Sequence, residues 1–158
     1  MKKTISSLLA VILLLSLILC GCGKDSGKKT ITVSGLSMEL TLKNGETVTV
    51  LPLDGNPKSG DIIAFGNDSL KRVIAVEGQE LRIDFDKNEV YVDGKKLDEP
   101  YVSGITKRGT LADEEVNRVI PEGKVFVLGD KRDIAIDSRF KEIGLVDVKD
   151  ITGVVESK

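Results

Sequence analysis

The sequence predicts a mainly β domain that follows an apolar N-terminal segment. Short apolar runs recur between residues 47 and 155, many of them alternate with polar residues, and turn residues separate them. Helical periodicity is nearly absent from the same region. In a chain of 158 residues these features indicate one domain of many short strands, large enough to bury a core without disulfides or metals.

The N-terminal segment has the pattern of an export signal or membrane anchor. Lys2 and Lys3 precede a nearly uninterrupted apolar stretch over residues 8–20. The stretch is short for a membrane-spanning helix, which needs roughly 17–25 residues.

The end of this stretch resembles the lipobox of bacterial lipoproteins. Residues 19–22 read Leu-Cys-Gly-Cys, and the resemblance implies cleavage after Gly21 and a lipid on Cys22. Residues 1–22 are therefore predicted to be either a cleaved lipoprotein signal or an uncleaved anchor. In both cases the remainder is held at the cell membrane on its extracytoplasmic side. Residues 23–32 are rich in Gly, Ser and Lys and predict a flexible tether, so that the folded domain spans 33–158.

The predicted strands follow from local patterns. Val48 and Val50 alternate with polar residues, and Asp93-Gly94 is a hairpin signal between two such runs. A compact apolar run after Gly123 predicts a buried strand, while residues 111–119 alone suggest a helical turn. The expected strands lie at 47–51, 61–65, 70–76, 81–85, 90–92, around 97, 124–128 and within 144–155.

Composition excludes several classes of function. The chain has no histidine, which removes Ser-His-Asp and Cys-His catalysis and His-ligated metal sites. Its two cysteines, Cys20 and Cys22, both precede the domain, so no Cys-rich zinc site is expected there. A net charge of −2 disfavours a nucleic-acid partner. A serine hydrolase of this composition would need a base other than histidine.

A neutral lysine is such a base, provided that burial lowers its pKa. Lys71 lies in the otherwise apolar run 70–76, and strand alternation predicts that it shares a face with Val73 and Ala75. A lysine at a strand edge is more often solvated, so this observation alone leaves both interpretations open.

Two further segments carry candidate residues. Ser37 follows Gly35, which can free the backbone for a sharp turn that exposes the serine beside an amide donor, although a serine next to a glycine is usually only part of a turn. Residues 129–144 alternate acids and arginines after a buried strand, which indicates either a solvated loop or an ion-paired loop that braces a site.

Taken together, these segments resemble bacterial type I signal peptidases, which are membrane-anchored Ser–Lys peptidases. The resemblance runs from about residue 33 to the C-terminus. Five segments carry it in the family's order: 35–39 with 41–42, 60–65, 71–74 with Gly78, 92–95 with 99–101, and 127–130 with Arg132, 137–139 and Gly144.

The resemblance implies a twisted antiparallel, barrel-like β domain with a small β insertion, here at about 78–122. It implies that Ser37 is the nucleophile, that Lys71 is the general base and that no metal or cofactor takes part. The other implied roles are oxyanion stabilisation and positioning, by Gly35, Met38 and the amide of Ser37, and bracing of the site, by Gly129, Asp130, Arg132, Asp137, Ser138 and Arg139.

Three positions depart from the family's pattern. Leu40 stands where proline is usual, which is expected to leave the backbone looser. Lys131 replaces an asparagine, and one hypothesis is that its charge, if it points at Lys71, lowers the pKa of that base and partly compensates for Ala135. Ala135 replaces a serine whose hydroxyl would orient the base, at a cost of about tenfold in rate.

The predicted function is signal peptidase I-like cleavage of exported precursors at the membrane surface. The expected substrates have small residues at −3 and −1, selected by shallow apolar pockets. The three departures motivate one alternative, a non-catalytic surface lipoprotein on a degenerate peptidase fold. Self-cleaving repressor-type peptidases also use Ser–Lys, but the export segment and acidic charge disfavour them.

Overall fold

The computed structural model describes residues 27–156, and these form a mainly β domain as predicted. The apolar segment 1–22 and the candidate lipidation site Cys22 lie outside the described residues. No helix among residues 27–156 is long and apolar enough to cross a membrane. The strands are β1 (Lys29–Thr32), β2 (Thr47–Leu51), β3 (Ile62–Phe65), β4 (Ser69–Val76), β5 (Glu80–Asp84), β6 (Glu89–Val92), β7 (Lys95–Lys96), β8 (Arg118–Val119), β9 (Lys124–Leu128), β10 (Val146–Asp147) and β11 (Ile151–Val155).

A seven-stranded antiparallel sheet forms the larger part of the domain, in the order β1-β2-β11-β3-β4-β9-β10. Alternation works as expected in β2, where Val48 and Val50 face the core and their neighbours are more exposed. The sheet curls, because the segment directly after β1 and the start of β4 line the same pocket, although the two strands are four positions apart in the sheet.

A second sheet is inserted in sequence between β4 and β9, in the order β7-β6-β5-β8. Asp93 and Gly94 both have positive φ, 52° and 73°, as expected for the predicted hairpin turn between β6 and β7. One core cluster joins the two sheets, since Leu81 and Ile83 of β5 pack with Phe126 and Leu128 of β9.

The structure corrects one prediction about an individual segment and confirms another. The tether prediction is wrong for residues 29–32, because this stretch forms β1, pairs with β2 and buries Ile31. Residues 111–119 contain a helical turn, α1 (Asp113–Val116), but they continue directly into β8, which pairs with β5.

Strand β4 carries a β-bulge that alters the predicted alternation. Its register with β9 shifts between Val73 and Ala75. Val73 consequently packs in one core cluster while Ile74 and Ala75 both pack in another. The prediction that Lys71 shares a face with Ala75 is therefore wrong, because the extra residue in the bulge interrupts the period of two.

Candidate active site

Ser37 lies half-buried in an irregular turn between β1 and β2. Gly35 has a φ of 91°, which a side chain would disfavour, and its N–H donates to the Asn44 side chain at 2.8 Å. Met38, directly after Ser37, is 2 % exposed and packs in the core with Ile31. The buried side chain of Met38 therefore fixes the turn against the core, while the adjacent Ser37 stays partly exposed.

Lys71 lies near the start of β4, opposite Ile63 of β3, and is only 6 % exposed. Its Nζ atom is 3.1 Å from Oγ of Ser37 and 3.1 Å from the carbonyl oxygen of Leu70. Burial lowers the pKa of Lys71 below its ordinary 10.5, and the nearby Asp137 carboxylate opposes this effect. The lysine is thus placed to accept the proton of the serine hydroxyl.

Gly129 lets the loop after β9 approach the serine. A Cβ built on Gly129 would lie 2.4 Å from the Cβ of Ala135 and 2.7 Å from the carbonyl oxygen of Ser37. The N–H of Lys131 donates to that same carbonyl at 2.9 Å. The loop and the nucleophile turn therefore touch through backbone at a position where only glycine fits.

Buried ion pairs and hydrogen bonds hold the shape of this loop. Asp137 and Arg139, each 1 % exposed or less, form an ion pair, and Asp137 also accepts the N–H of Gly129 at 3.1 Å. The Ser138 hydroxyl accepts the N–H of Val127 at 2.9 Å. The guanidinium of Arg139 donates as well to the carbonyl of Ala135.

The other two bracing candidates, Asp130 and Arg132, connect the loop to partners that the sequence reasoning did not assign. Asp130 accepts two hydrogen bonds from Arg72, at 2.9 and 2.7 Å, and one from the Thr41 hydroxyl at 2.5 Å. Arg132 is ion-paired with Glu99. The sequence did offer one indication that Arg72 belongs to the site: it is a second cation, directly after Lys71, in an otherwise apolar strand.

Thr41, Asp130 and Arg72 together link three elements. Thr41 belongs to the nucleophile turn, Asp130 to the loop after β9, and Arg72 follows the lysine on β4. One fully buried carboxylate thereby connects the turn that carries Ser37 to the strand that carries Lys71.

The structure does not place Lys131 as predicted. Its ammonium is ion-paired with the carboxylate of Glu39, and the hydrogen bond to Glu39 raises the pKa of Lys131. Lys131 is not among the groups that shift the pKa of Lys71. The hypothesis that its charge lowers that pKa is wrong, because a nearer carboxylate binds the charge.

Leu40 also differs from expectation. Its φ is 83°, in the left-handed region, while its side chain is 69 % exposed. Proline fixes φ near −65° and cannot adopt this conformation. The backbone at Leu40 is therefore held in a strained shape rather than left loose.

The pocket beside the serine and the lysine has a volume of about 280 Å³. Val33, Met38 and Leu70 contribute apolar surface to it. Its remaining wall is more polar than the predicted shallow apolar pocket, since it includes Ser34 and residues 67–69, which read Asn-Asp-Ser.

Comparisons with known proteins identify the family to which this fold belongs. The family model described as "Signal peptidase, peptidase S26" matches residues 2–158. Signal peptidase IB of Staphylococcus aureus is 36 % identical over 144 residues, which cover 78 % of this chain and 73 % of the relative. Signal peptidase I of Bacillus licheniformis is 34 % identical over 134 residues, covering 77 % and 70 %. The crystal structure of a signal peptidase I from Enterococcus faecalis V583 superposes with a TM-score of 0.53 at 29 % identity, covering 66 % of this chain and 100 % of that one.

Proposed function

The chain belongs to the signal peptidase family, peptidase S26, and we propose that Ser37 is its nucleophile and Lys71 its general base. As a member of this family it is a serine endopeptidase that cleaves signal peptides from exported precursors. The observation that carries the proposal is the 3.1 Å separation between Nζ of Lys71 and Oγ of Ser37. Burial favours the neutral amine that a base requires. The alternative of a non-catalytic lipoprotein finds no support in the comparisons.

The proposed reaction has two steps. Lys71 accepts the hydroxyl proton as Ser37 attacks the scissile carbonyl, and the proton passes to the leaving amine as the peptide bond breaks. Lys71 then removes a proton from water, which hydrolyses the acyl-Ser37 ester and regenerates the enzyme.

Stabilisation of the oxyanion is assigned to backbone amides at the nucleophile turn. The N–H groups of Ser37 and Met38 donate no hydrogen bond to any residue in 27–156. They are therefore available to a substrate, and amides held in a fixed turn are suited to a developing oxyanion. Gly35 and the buried Met38 would act by positioning this turn.

Open strand edges support an extended binding mode for the substrate. β1 is the first strand of the larger sheet, and β4 pairs with β9 only from Arg72 onward. The segment after β1 and the start of β4 both line the pocket with Ser37 and Lys71. A precursor lying between them can add main-chain hydrogen bonds to both edges.

We also propose that residues 1–22 anchor the enzyme at the extracytoplasmic membrane surface. Two mature forms are consistent with the sequence, a lipidated Cys22 and an uncleaved apolar anchor. Either form raises the local concentration of enzyme where cleavage sites emerge. Mass analysis of the mature N-terminus distinguishes them, since only the first carries lipid on Cys22.

The test of the proposed function is cleavage of a secretory precursor by the full chain reconstituted in membranes. Wild type should cleave after a small residue, while Ser37→Ala and Lys71→Met should lose at least about 10³-fold in kcat. Ser59→Ala and Lys43→Met, at exposed positions outside the pocket, are matched controls that should retain activity. Equal cleavage by Ser37→Ala and wild type would refute the dyad.

A further inference from the structure

Three polar side chains in the pocket at the dyad have no partner within the described residues. Ser34, Asn67 and Ser69 all line this pocket, and their side chains form no hydrogen bond to any residue in 27–156. The neighbouring Asp68, in contrast, is ion-paired with Lys29. Unused hydroxyl and amide groups beside a reactive centre are available to a bound ligand.

Strand geometry locates Ser69 relative to the reacting atoms. Ser69 and Lys71 are two residues apart on β4, before the bulge that follows Val73, so their side chains lie on one face. Their separation along the strand is about 6.6 Å. An extended substrate has the same spacing between its −1 and −3 side chains.

The open edge of β4 determines the direction in which the substrate extends. From Arg72 onward β9 occupies this edge, so a paired peptide can continue only from Lys71 toward Ser69. Signal peptides are recognised through the residues that precede the cleavage site. With the −1 residue beside Ser37, the −3 side chain therefore lies at Ser69 and Asn67.

We propose that Ser69 and Asn67 make this peptidase prefer a small hydroxyl-bearing side chain, serine or threonine, at −3 of the signal peptide. The inference rests on the proposed function and refines its substrate class. A threonine hydroxyl can bond to the Ser69 hydroxyl and the Asn67 amide, while valine of the same shape leaves both groups unpaired.

The test compares precursors that differ only at −3, with alanine at −1 throughout. We expect the wild-type full chain to cleave the threonine substrate about three- to tenfold more efficiently in kcat/KM than its valine isostere. Ser69→Ala combined with Asn67→Ala should bring this threonine-to-valine ratio close to one, and Ser69→Thr, which keeps the hydroxyl, should preserve it. Because both kcat/KM values come from the same preparation, their threonine-to-valine ratio does not depend on the fraction of enzyme that is active.

The controls separate this inference from the proposed function. Ser59→Ala lies outside the pocket and should keep the wild-type ratio. If wild type cleaves these precursors with a threonine-to-valine ratio of one or less, the inference is overturned while the peptidase activity stands. Failure of wild type to cleave any of the substrates would contradict the function itself and the inference with it.

Discussion

The amine of Lys71 is held between two oxygens, the hydroxyl of Ser37 and the carbonyl of Leu70, each at 3.1 Å. A neutral amine has two N–H donors and one lone pair. With one N–H on the Leu70 carbonyl, the lone pair can face the serine hydroxyl. The backbone of β4 therefore contributes to orienting the base that it carries.

The pH dependence of cleavage should report the titration of Lys71. Because burial lowers its pKa, the neutral and active form grows as pH rises through a midpoint below 10.5. The kcat/KM profile should therefore rise with pH and level off below the range of an ordinary lysine. A rising limb centred at or above 10.5 would contradict the assignment of Lys71 as the base.

Replacement of Lys131 should leave that midpoint in place. The ammonium of Lys131 contacts Glu39, and Lys131 is not among the groups that shift the pKa of Lys71, so Lys131→Asn should leave that pKa unchanged. We expect an unchanged rising limb in the pH profile of Lys131→Asn and of Glu39→Gln. A midpoint that rises in Lys131→Asn would restore the hypothesis that Lys131 depresses the pKa of Lys71.

Local pattern was sufficient to predict most strands, because alternation and turn residues act over a few positions. β4 and β9 were predicted nearly to their ends. β1 was missed because its sequence, Lys-Thr-Ile-Thr, follows a run of polar residues and only pairing with β2 reveals it as a strand. The bulge in β4 depends on its register with β9, which is also a tertiary property.

The sequence was sufficient to identify the candidate site residues but not to predict which side chains they contact. Ser37 and Lys71 lie 34 positions apart, and their proximity was expected from the family resemblance alone. Glu39, the partner of Lys131, lies 92 positions away, so the sequence offered no local signal for that ion pair. The direction of a long side chain depends on such distant partners, which explains the wrong expectation for Lys131.

Substitutions at Leu40 should change stability in opposite directions. Leu40→Gly should raise the free energy of unfolding by about 0.5–1 kcal/mol, because glycine adopts a φ of 83° without strain and the exposed side chain contributes little burial. Leu40→Pro should lower it by more than about 1 kcal/mol, since its ring forbids that φ. Urea denaturation measures both, and a stabilised proline variant would show that the turn has another conformation in solution.

Gly129→Ala should disrupt the site. The added methyl would meet the Cβ of Ala135 at 2.4 Å and the carbonyl oxygen of Ser37 at 2.7 Å, so the nucleophile turn must move. A displacement of about 1 Å at a reacting group can reduce kcat about 100-fold. Gly55→Ala is the matched control, because nothing lies within 4 Å of its added methyl. Its positive φ should lower the free energy of unfolding by about 1–2 kcal/mol, but the variant should keep its activity. A fully active Gly129→Ala would mean that the loop yields without moving Ser37.

A hydroxyl at position 135 should improve the base. Ala135 is buried, and its methyl group lies against Gly129, which in turn contacts Ser37. Of the two N–H donors on neutral Lys71, one is used by the Leu70 carbonyl and the other has no partner among residues 27–156. A serine hydroxyl can accept that donor and narrow the orientations of the amine, so Ala135→Ser should raise kcat by up to about tenfold.

The matched control for this change is Ala135→Cys, which is close in size to serine but a poor hydrogen-bond acceptor. It should leave kcat at or below the wild-type value, and neither variant should change KM as much as kcat. A higher kcat in both variants would mean that the effect comes from packing against Gly129 and not from a hydrogen bond. No gain in Ala135→Ser, in a preparation that unfolds at the wild-type denaturant concentration, would show that the Leu70 carbonyl alone suffices to orient Lys71.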